Sequence, residues 1–147
     1  MSSRVQLGLN VSDLEAAIDF YGKAFGVEPA KVRPGYANFV VADPPLKLVL
    51  FERTDGGTIN HLGVEVDDTP AVHAATTHLQ AVGLDTRLED GVDCCHAVQD
   101  KVWATDPDGL EWEWYTVLED SATTKADGTG CCTPAAEAPS AAVTACC

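Results

Sequence analysis

Positive charge is scarce in this sequence. Nine lysines and arginines stand against 23 aspartates and glutamates, a formal net charge of −14. A phosphate backbone would repel such a surface, which argues against nucleic acid as a partner. No apolar run comes near the roughly 18 residues that a bilayer-spanning helix needs, so no membrane span is expected. Behind Met1-Ser2-Ser3-Arg4 there is no apolar stretch of the kind a secretory leader requires, and a cytoplasmic location is expected. Isolated cysteines are missing too. All six stand as neighbours, in Cys94-Cys95, Cys131-Cys132 and Cys146-Cys147. In a reducing compartment such usage points to metal or reactive chemistry more than to a disulfide framework. A bridge between neighbouring cysteines would close a small, distorted ring. The pairs therefore read as dithiols, whose natural partners are soft species such as trivalent arsenic, cadmium or cuprous copper.

What is present begins with size. The 147 residues, 46% of them hydrophobic, suit one domain or two small halves packed as one. A repeat supports the second arrangement. Residues 5–13 read VQLGLNVSD and residues 60–68 read NHLGVEVDD, so Leu7, Gly8, Val11 and Asp13 recur as Leu62, Gly63, Val66 and Asp68. Both segments alternate like strands and lead into helices. Ser12 and Glu15 form a capping-box pattern, Leu14, Ile18, Tyr21 and Phe25 share a helical face, and Gly26 is placed to end the helix. In the second unit Thr69 can cap, Pro70 suits the first helical position, and Val72, Ala75, Leu79 and Val82 make the stripe before Gly83. Three strands are expected after each helix, near 30–33, 36–41 and 46–52, then near 85–88, 96–104 and 111–117. Pro34-Gly35 and Asp90-Gly91 read as turns, and Asp43-Pro44 echoes Asp106-Pro107. The expected fold is α+β, two tandem βαβββ modules of about residues 1–55 and 56–118. Residues 119–147 differ: Val143 is their one long aliphatic side chain and they hold no aromatic. Such a segment cannot offset its ordering entropy, and a flexible tail carrying two dithiols is expected.

The repeat selects candidate ligands. Aligning the opening strands sets Gln6 opposite His61, and aligning the Asp-Pro turns sets Leu50 opposite Glu113. Of these four equivalent positions, three carry coordinating side chains. An amide oxygen, an imidazole and a carboxylate with open positions opposite them make a variant facial triad, a set that suits Fe(II). Glu113 lies between Trp112 and Trp114 and faces away from both. Cys94 and Cys95 precede the same hairpin and form the candidate substrate clamp. His73 and His78 fall off the apolar stripe of the second helix and read as surface residues. His96 follows the dithiol and, when charged, would lower a thiol pKa, while Asp93 would oppose that. Asp100-Lys101 reads as a turn or a substrate-contacting pair.

The duplicated βαβββ pattern with Gln6, His61 and Glu113 at its ligand positions resembles the vicinal oxygen chelate superfamily. That group includes glyoxalase I, the extradiol dioxygenases and the bleomycin- and fosfomycin-resistance proteins. The segments PGYANF (34–39), PPLKLVL (44–50), NHLGVEV (60–66) and CCHAVQDKVW (94–103) resemble one branch within it, the ArsI-type carbon–arsenic lyases and the cadmium-induced CadI group. The resemblance spans about residues 3–118. It implies a non-haem Fe(II)-dependent dioxygenase-type reaction in which trivalent organoarsenicals lose their organic group and arsenite is released. It also implies that Gln6, His61 and Glu113 hold the metal and that Cys94 and Cys95 bind arsenic. His96 stands where an aromatic residue is common in that branch, which weighs against bulky aromatic substrates. The expected partners are a small trivalent organoarsenical and dioxygen, with arsenite or cadmium on the tail thiols, in a monomer or homodimer. Two other classes stay open: a thiol protein that sequesters cadmium or arsenite without turnover, and a thiol-transferase-type member of the same superfamily.

Overall fold

A computed structural model describes residues 3–94 and 96–120. The chain divides into two compact units, Arg4–Gly63 and the part from Val64 onward. The calls that fall on residues 121–147, including the flexible tail and its dithiols, lie outside the described residues.

In the first unit, β1 (Arg4–Val11) leads through α1 (Leu14–Phe25) to β2 (Lys31–Arg33), β3 (Tyr36–Val41), β4 (Leu46–Glu52) and β5 (Thr58–Glu65). Neighbouring strands run in the order β2-β3-β4-β1-β5. β1 and β4 are parallel, with Leu7 opposite Leu48 and Leu9 opposite Leu50. Parallel partners need a long crossover, and α1 with the β2–β3 hairpin supplies it. Alternation then sorts the side chains. Leu46, Leu48 and Leu50 join Ala37, Phe39, Val41 and Leu14 in a buried core, against which Leu7, Leu9, Ile18, Tyr21 and Phe25 pack. Each such side chain contributes about 1.5–3 kcal/mol by leaving water. The opposite face is left to Gln6, Gly8 and Asn10 of β1 and to Val49 and Phe51 of β4.

Two expectations are corrected here. The α1 N-cap is Asp13, whose carboxylate accepts from Ala16 N at 2.9 Å, and not Ser12. A charged acceptor also complements the helix dipole, which a serine hydroxyl does less well. Leu50 lies in the core under α1 and not on the face of Gln6. Two residues separate Asp43 from Leu46, where β4 begins, and four separate Asp106 from Glu111, where β8 begins, so the two Asp-Pro turns are not equivalent and matching them does not set the face of the following strand.

The second unit holds α2 (Thr69–Ala81), β6 (Arg87–Cys94), β7 (Ala97–Thr105) and β8 (Glu111–Asp120), the three strands being an antiparallel meander. Val72 and Leu79 of α2 pack on Val102 and Ala104 of β7, with Ala75 and Trp114 around them. Thr76 is buried in the α2 stripe, whereas Val82 is exposed. The α2 N-cap is Asp68, not Thr69; its carboxylate accepts from Ala71 N at 2.9 Å and moves Pro70 into the first turn. Thr69 is left to donate its hydroxyl to Asp100 Oδ2. Asp90-Gly91 is no turn. It sits inside β6, where Gly91 takes φ 64° and the register shifts between Glu89 and Val92, the form of a β-bulge. β8 runs on to Asp120 because Val98 and Ala97 still offer it partners, opposite Glu119 and Asp120. Among the described residues, no helix is long and apolar enough to cross a membrane.

Candidate active site

In the first unit the structure brings two predicted ligands together. Gln6 and His61 are both buried, and Gln6 Nε2 lies 2.9 Å from His61 Nε2. Close approach is possible because β1 carries glycine next to them: a methyl on Gly8 would stand 3.0 Å from both His61 Nδ1 and His61 O. That is tighter than carbon normally tolerates, so the glycine repeated as Gly8 and Gly63 has a local reason at its first occurrence. Phe51 flanks the imidazole with ring centroids 5.9 Å apart, and Tyr36 meets Phe51 edge-on at 5.7 Å. The other ring nitrogen, His61 Nδ1, lies 2.9 Å from Asn60 Oδ1.

As the amides are oriented, those two contacts match one tautomer of His61. An amide nitrogen can only donate and an amide oxygen can only accept. In that arrangement Nε2 accepts from Gln6 and Nδ1–H donates to Asn60. With the Gln6 amide turned over, its oxygen and His61 Nε2 would make a donor set that a divalent cation such as Fe(II) fits.

Glu113 belongs to the second unit. It is fully buried on the face of β8 opposite Trp114, which packs toward α2. Its Oε2 lies 3.3 Å from the equally buried Lys101 Nζ. Lys101 is on β7 one cross-strand step away, since Trp103 is directly opposite Glu113. The ammonium also lies 5.4 Å from the Trp103 ring centroid. A carboxylate and an ammonium are each costly to bury alone, and Lys101 and Glu113 are buried side by side as a pair. Among the described residues, no group of three or more His, Cys, Asp and Glu is placed to hold a metal ion. The proposed set has only two members of those types, its third being the Gln6 amide.

Cys94 is the last residue of β6, paired with Ala97 across the β6–β7 hairpin; Cys95 lies outside the described residues. His96 follows in the hairpin turn with φ 70°, the left-handed region that a histidine seldom enters. Cys94 thus ends a strand instead of preceding one. Asp100 and Lys101 are in mid-strand, not in a turn. Asp100 is buried and accepts from Gly91 N at 2.7 Å and from Thr69, which ties the bulge of β6 and the start of α2 to β7. His73 and His78 lie exposed on α2, His73 facing Asp90 at 3.5 Å.

Sequence reasoning missed Asn10, Asn60 and the pairing of Lys101 with Glu113. A signal was there for the asparagines. Asparagine is depleted in strands, so Asn10 in β1 and Asn60 in β5 each called for a tertiary partner.

The sequence profile of the Glyoxalase/Bleomycin resistance protein/Dioxygenase superfamily matches residues 4–114. The cadmium-induced protein CadI of Mycobacterium tuberculosis is 62% identical over 122 residues, which cover 82% of this chain and 80% of that one. The trivalent organoarsenical cleaving enzyme of Thermomonospora curvata is 57% identical over 135 residues, covering 90% of this chain and 89% of its own. Among solved structures, the 2,3-dioxygenase LapB of Pseudomonas sp. KL28 matches with a TM-score of 0.61 at 24% identity. It covers 80% of this chain and 41% of that one, a likeness of fold. The chain belongs to the glyoxalase/bleomycin resistance protein/dioxygenase superfamily.

Proposed function

We propose that this protein is a carbon–arsenic lyase that cleaves trivalent organoarsenicals to arsenite, with Fe(II) held by Gln6, His61 and Glu113. The observation that carries the reading is the buried Gln6–His61 pair with its Nε2 lone pair set for a cation. Similarity to an organoarsenical cleaving enzyme over nine-tenths of the chain supplies the substrate class. Bound Fe(II) would supply a redox centre for dioxygen.

The chain's own residues do the rest. A trivalent arsenical bearing one organic group has two exchangeable oxygen ligands. The thiols of Cys94 and Cys95 replace both, forming two As–S bonds and releasing two waters, while the C–As bond stays intact and exposed. Two tethers fix the direction of that bond, which turns a collision into an oriented reaction. Glu113, paired with Lys101, contributes a carboxylate. Gln6 contributes a neutral ligand that leaves the cation more electrophilic than a second carboxylate would.

The test is arsenite release. The reduced full-length protein, loaded anaerobically with Fe(II), is given methylarsonous acid and then dioxygen, and the arsenic products are separated by chromatography. Arsenite formation that needs both Fe(II) and dioxygen is expected. Recovery of intact methylarsonous acid, bound or free, would reject the lyase. A second reading is favoured by the 62% identity to a cadmium-induced protein: thiol binding of cadmium or arsenite without turnover. It predicts tight, stoichiometric capture with no change in the arsenical.

A further inference from the structure

Four polar side chains of the first unit form a directed chain that ends on His61. Asp55 is exposed at the β4–β5 turn, and its carboxylate can only accept. Asn10 Nδ2 donates to Asp55 Oδ2 at 3.4 Å and to Thr58 Oγ1 at 2.9 Å. Thr58 in turn donates to the Asp55 carbonyl at 2.6 Å. With its NH2 group held there, Asn10 must present Oδ1 inward, where Asn60 Nδ2 donates to it at 2.9 Å. That contact orients Asn60 in the same way, so its Oδ1 faces His61 Nδ1 at 2.9 Å. Every amide orientation follows from the carboxylate at the outer end.

We propose that Asn60 and Asn10 are positioning residues for the metal site, a relay from the Asp55 turn that locks His61 in the Nδ1–H tautomer and so keeps the proton off Nε2, the nitrogen that would meet a divalent cation. This rests on the reading of His61 as a metal ligand. Three features make it a device rather than incidental packing. Asn10 is buried in mid-sheet, where an asparagine is costly unless fully bonded. The turn that supplies Asp55 is pinned to β1, since Gly57 N donates to Asn10 O at 2.8 Å. Gly56 also approaches Ser12 so closely that a methyl there would stand 2.5 Å from its backbone nitrogen. The outer end of the relay is therefore built onto the strand that carries Gln6. Without the relay, a neutral imidazole in water divides between two tautomers, and one of them blocks Nε2 with a proton.

The experiment uses metal-free, full-length protein labelled with 15N-histidine at about pH 8.5, where an unperturbed imidazole is neutral. The His61 signals are those missing from the His61→Ala spectrum. In the parent, Nδ1 should carry the hydrogen and Nε2 should show the shift of an unprotonated nitrogen. Asn60→Leu should move both nitrogen shifts toward the average of the two tautomers and weaken Fe(II) binding by about ten- to a hundredfold. Asn60→Asp keeps an acceptor at Nδ1 and should retain the parent's tautomer. If Asn60→Leu does not fold, Asn10→Ala removes the next link and should move the same signals in the same direction. A parent His61 protonated on Nε2, or His61 shifts unchanged in the folded Asn60 or Asn10 variant, overturns the relay. Should the tautomer respond as expected while His61→Ala still binds Fe(II) like the parent, the relay stands and the proposed metal site fails.

Discussion

At the scale of single residues, the proposed ligand positions differ in what they can lose. His61→Ala and Glu113→Ala should each abolish Fe(II) binding and turnover, because each leaves two protein ligands, one of them a neutral amide. Gln6→Ala should weaken iron more mildly, since water can stand in for an amide oxygen, and Gln6→His should be tolerated. Anaerobic equilibrium dialysis against Fe(II) reads all four; parental iron content in His61→Ala would reject the site. Leu50 offers a separate check, on the fold. The repeat alone would set it beside Glu113 as a vacant ligand position, yet it is buried under α1. Leu50→Ala should therefore cost about 2–5 kcal/mol in a urea titration, the usual loss for truncating a core leucine. A loss under about 0.5 kcal/mol would put Leu50 on the other face.

At the scale of elements, the pattern of hydrophobic residues carried far and the caps did not. The stripes Leu14–Ile18–Tyr21–Phe25 and Val72–Ala75–Leu79 place both helices, because burial of one face is decided by period alone. Capping is decided by which acceptor reaches a free N–H, and in both helices an aspartate one residue away from the expected position does so. Gly91 was legible as a break but not as a bulge, since only its pairing across β7 distinguishes the two. The link that makes it a bulge is Asp100. Replacing it by alanine removes charged-acceptor hydrogen bonds to Gly91 N and Thr69 together, and should destabilise the second unit by about 3 kcal/mol. Urea unfolding followed by Trp112 and Trp114 fluorescence measures this, and a midpoint equal to the parent's would reject the clamp. The candidate site was half legible. Gln6 and His61, which meet in the structure, stand opposite one another in the repeat, whereas the Lys101–Glu113 pair and the asparagine contacts depend on how strands pair.

The hairpin bearing Cys94 and Cys95 belongs to the same scale. If both thiols hold arsenic, Cys94→Ser and Cys95→Ser each leave a single tether about which the substrate can turn. Turnover should then collapse in both variants while Fe(II) binding survives. Near-parental arsenite release by both would sink the clamp, and joint loss of iron and activity would assign the thiols to the metal site instead.

At the scale of the whole molecule, the question is whether the six thiols act as one store or as two functions. Composition separates them: Cys94 and Cys95 adjoin strand-like sequence, while Cys131, Cys132, Cys146 and Cys147 lie in residues 119–147, which hold one long aliphatic side chain and no aromatic. Truncation after Ser121 removes four of the six cysteines and, of the long aliphatic and aromatic side chains, only Val143. The thermal midpoint should therefore stay within about 2 °C of the parent's, because little burial is lost. Lyase and store now agree on capacity and differ in turnover. For a lyase, the truncated protein should release arsenite at nearly the parental rate, its cadmium capacity falling as the tail dithiols are lost. For a store, capacity is the function, and the loss of two dithiols out of three removes most of it with no turnover left behind. Cadmium stoichiometry by mass spectrometry and arsenite release from the same preparation decide between them. A truncated protein that keeps its fold but neither turns over nor loses capacity would contradict both assignments of the thiols.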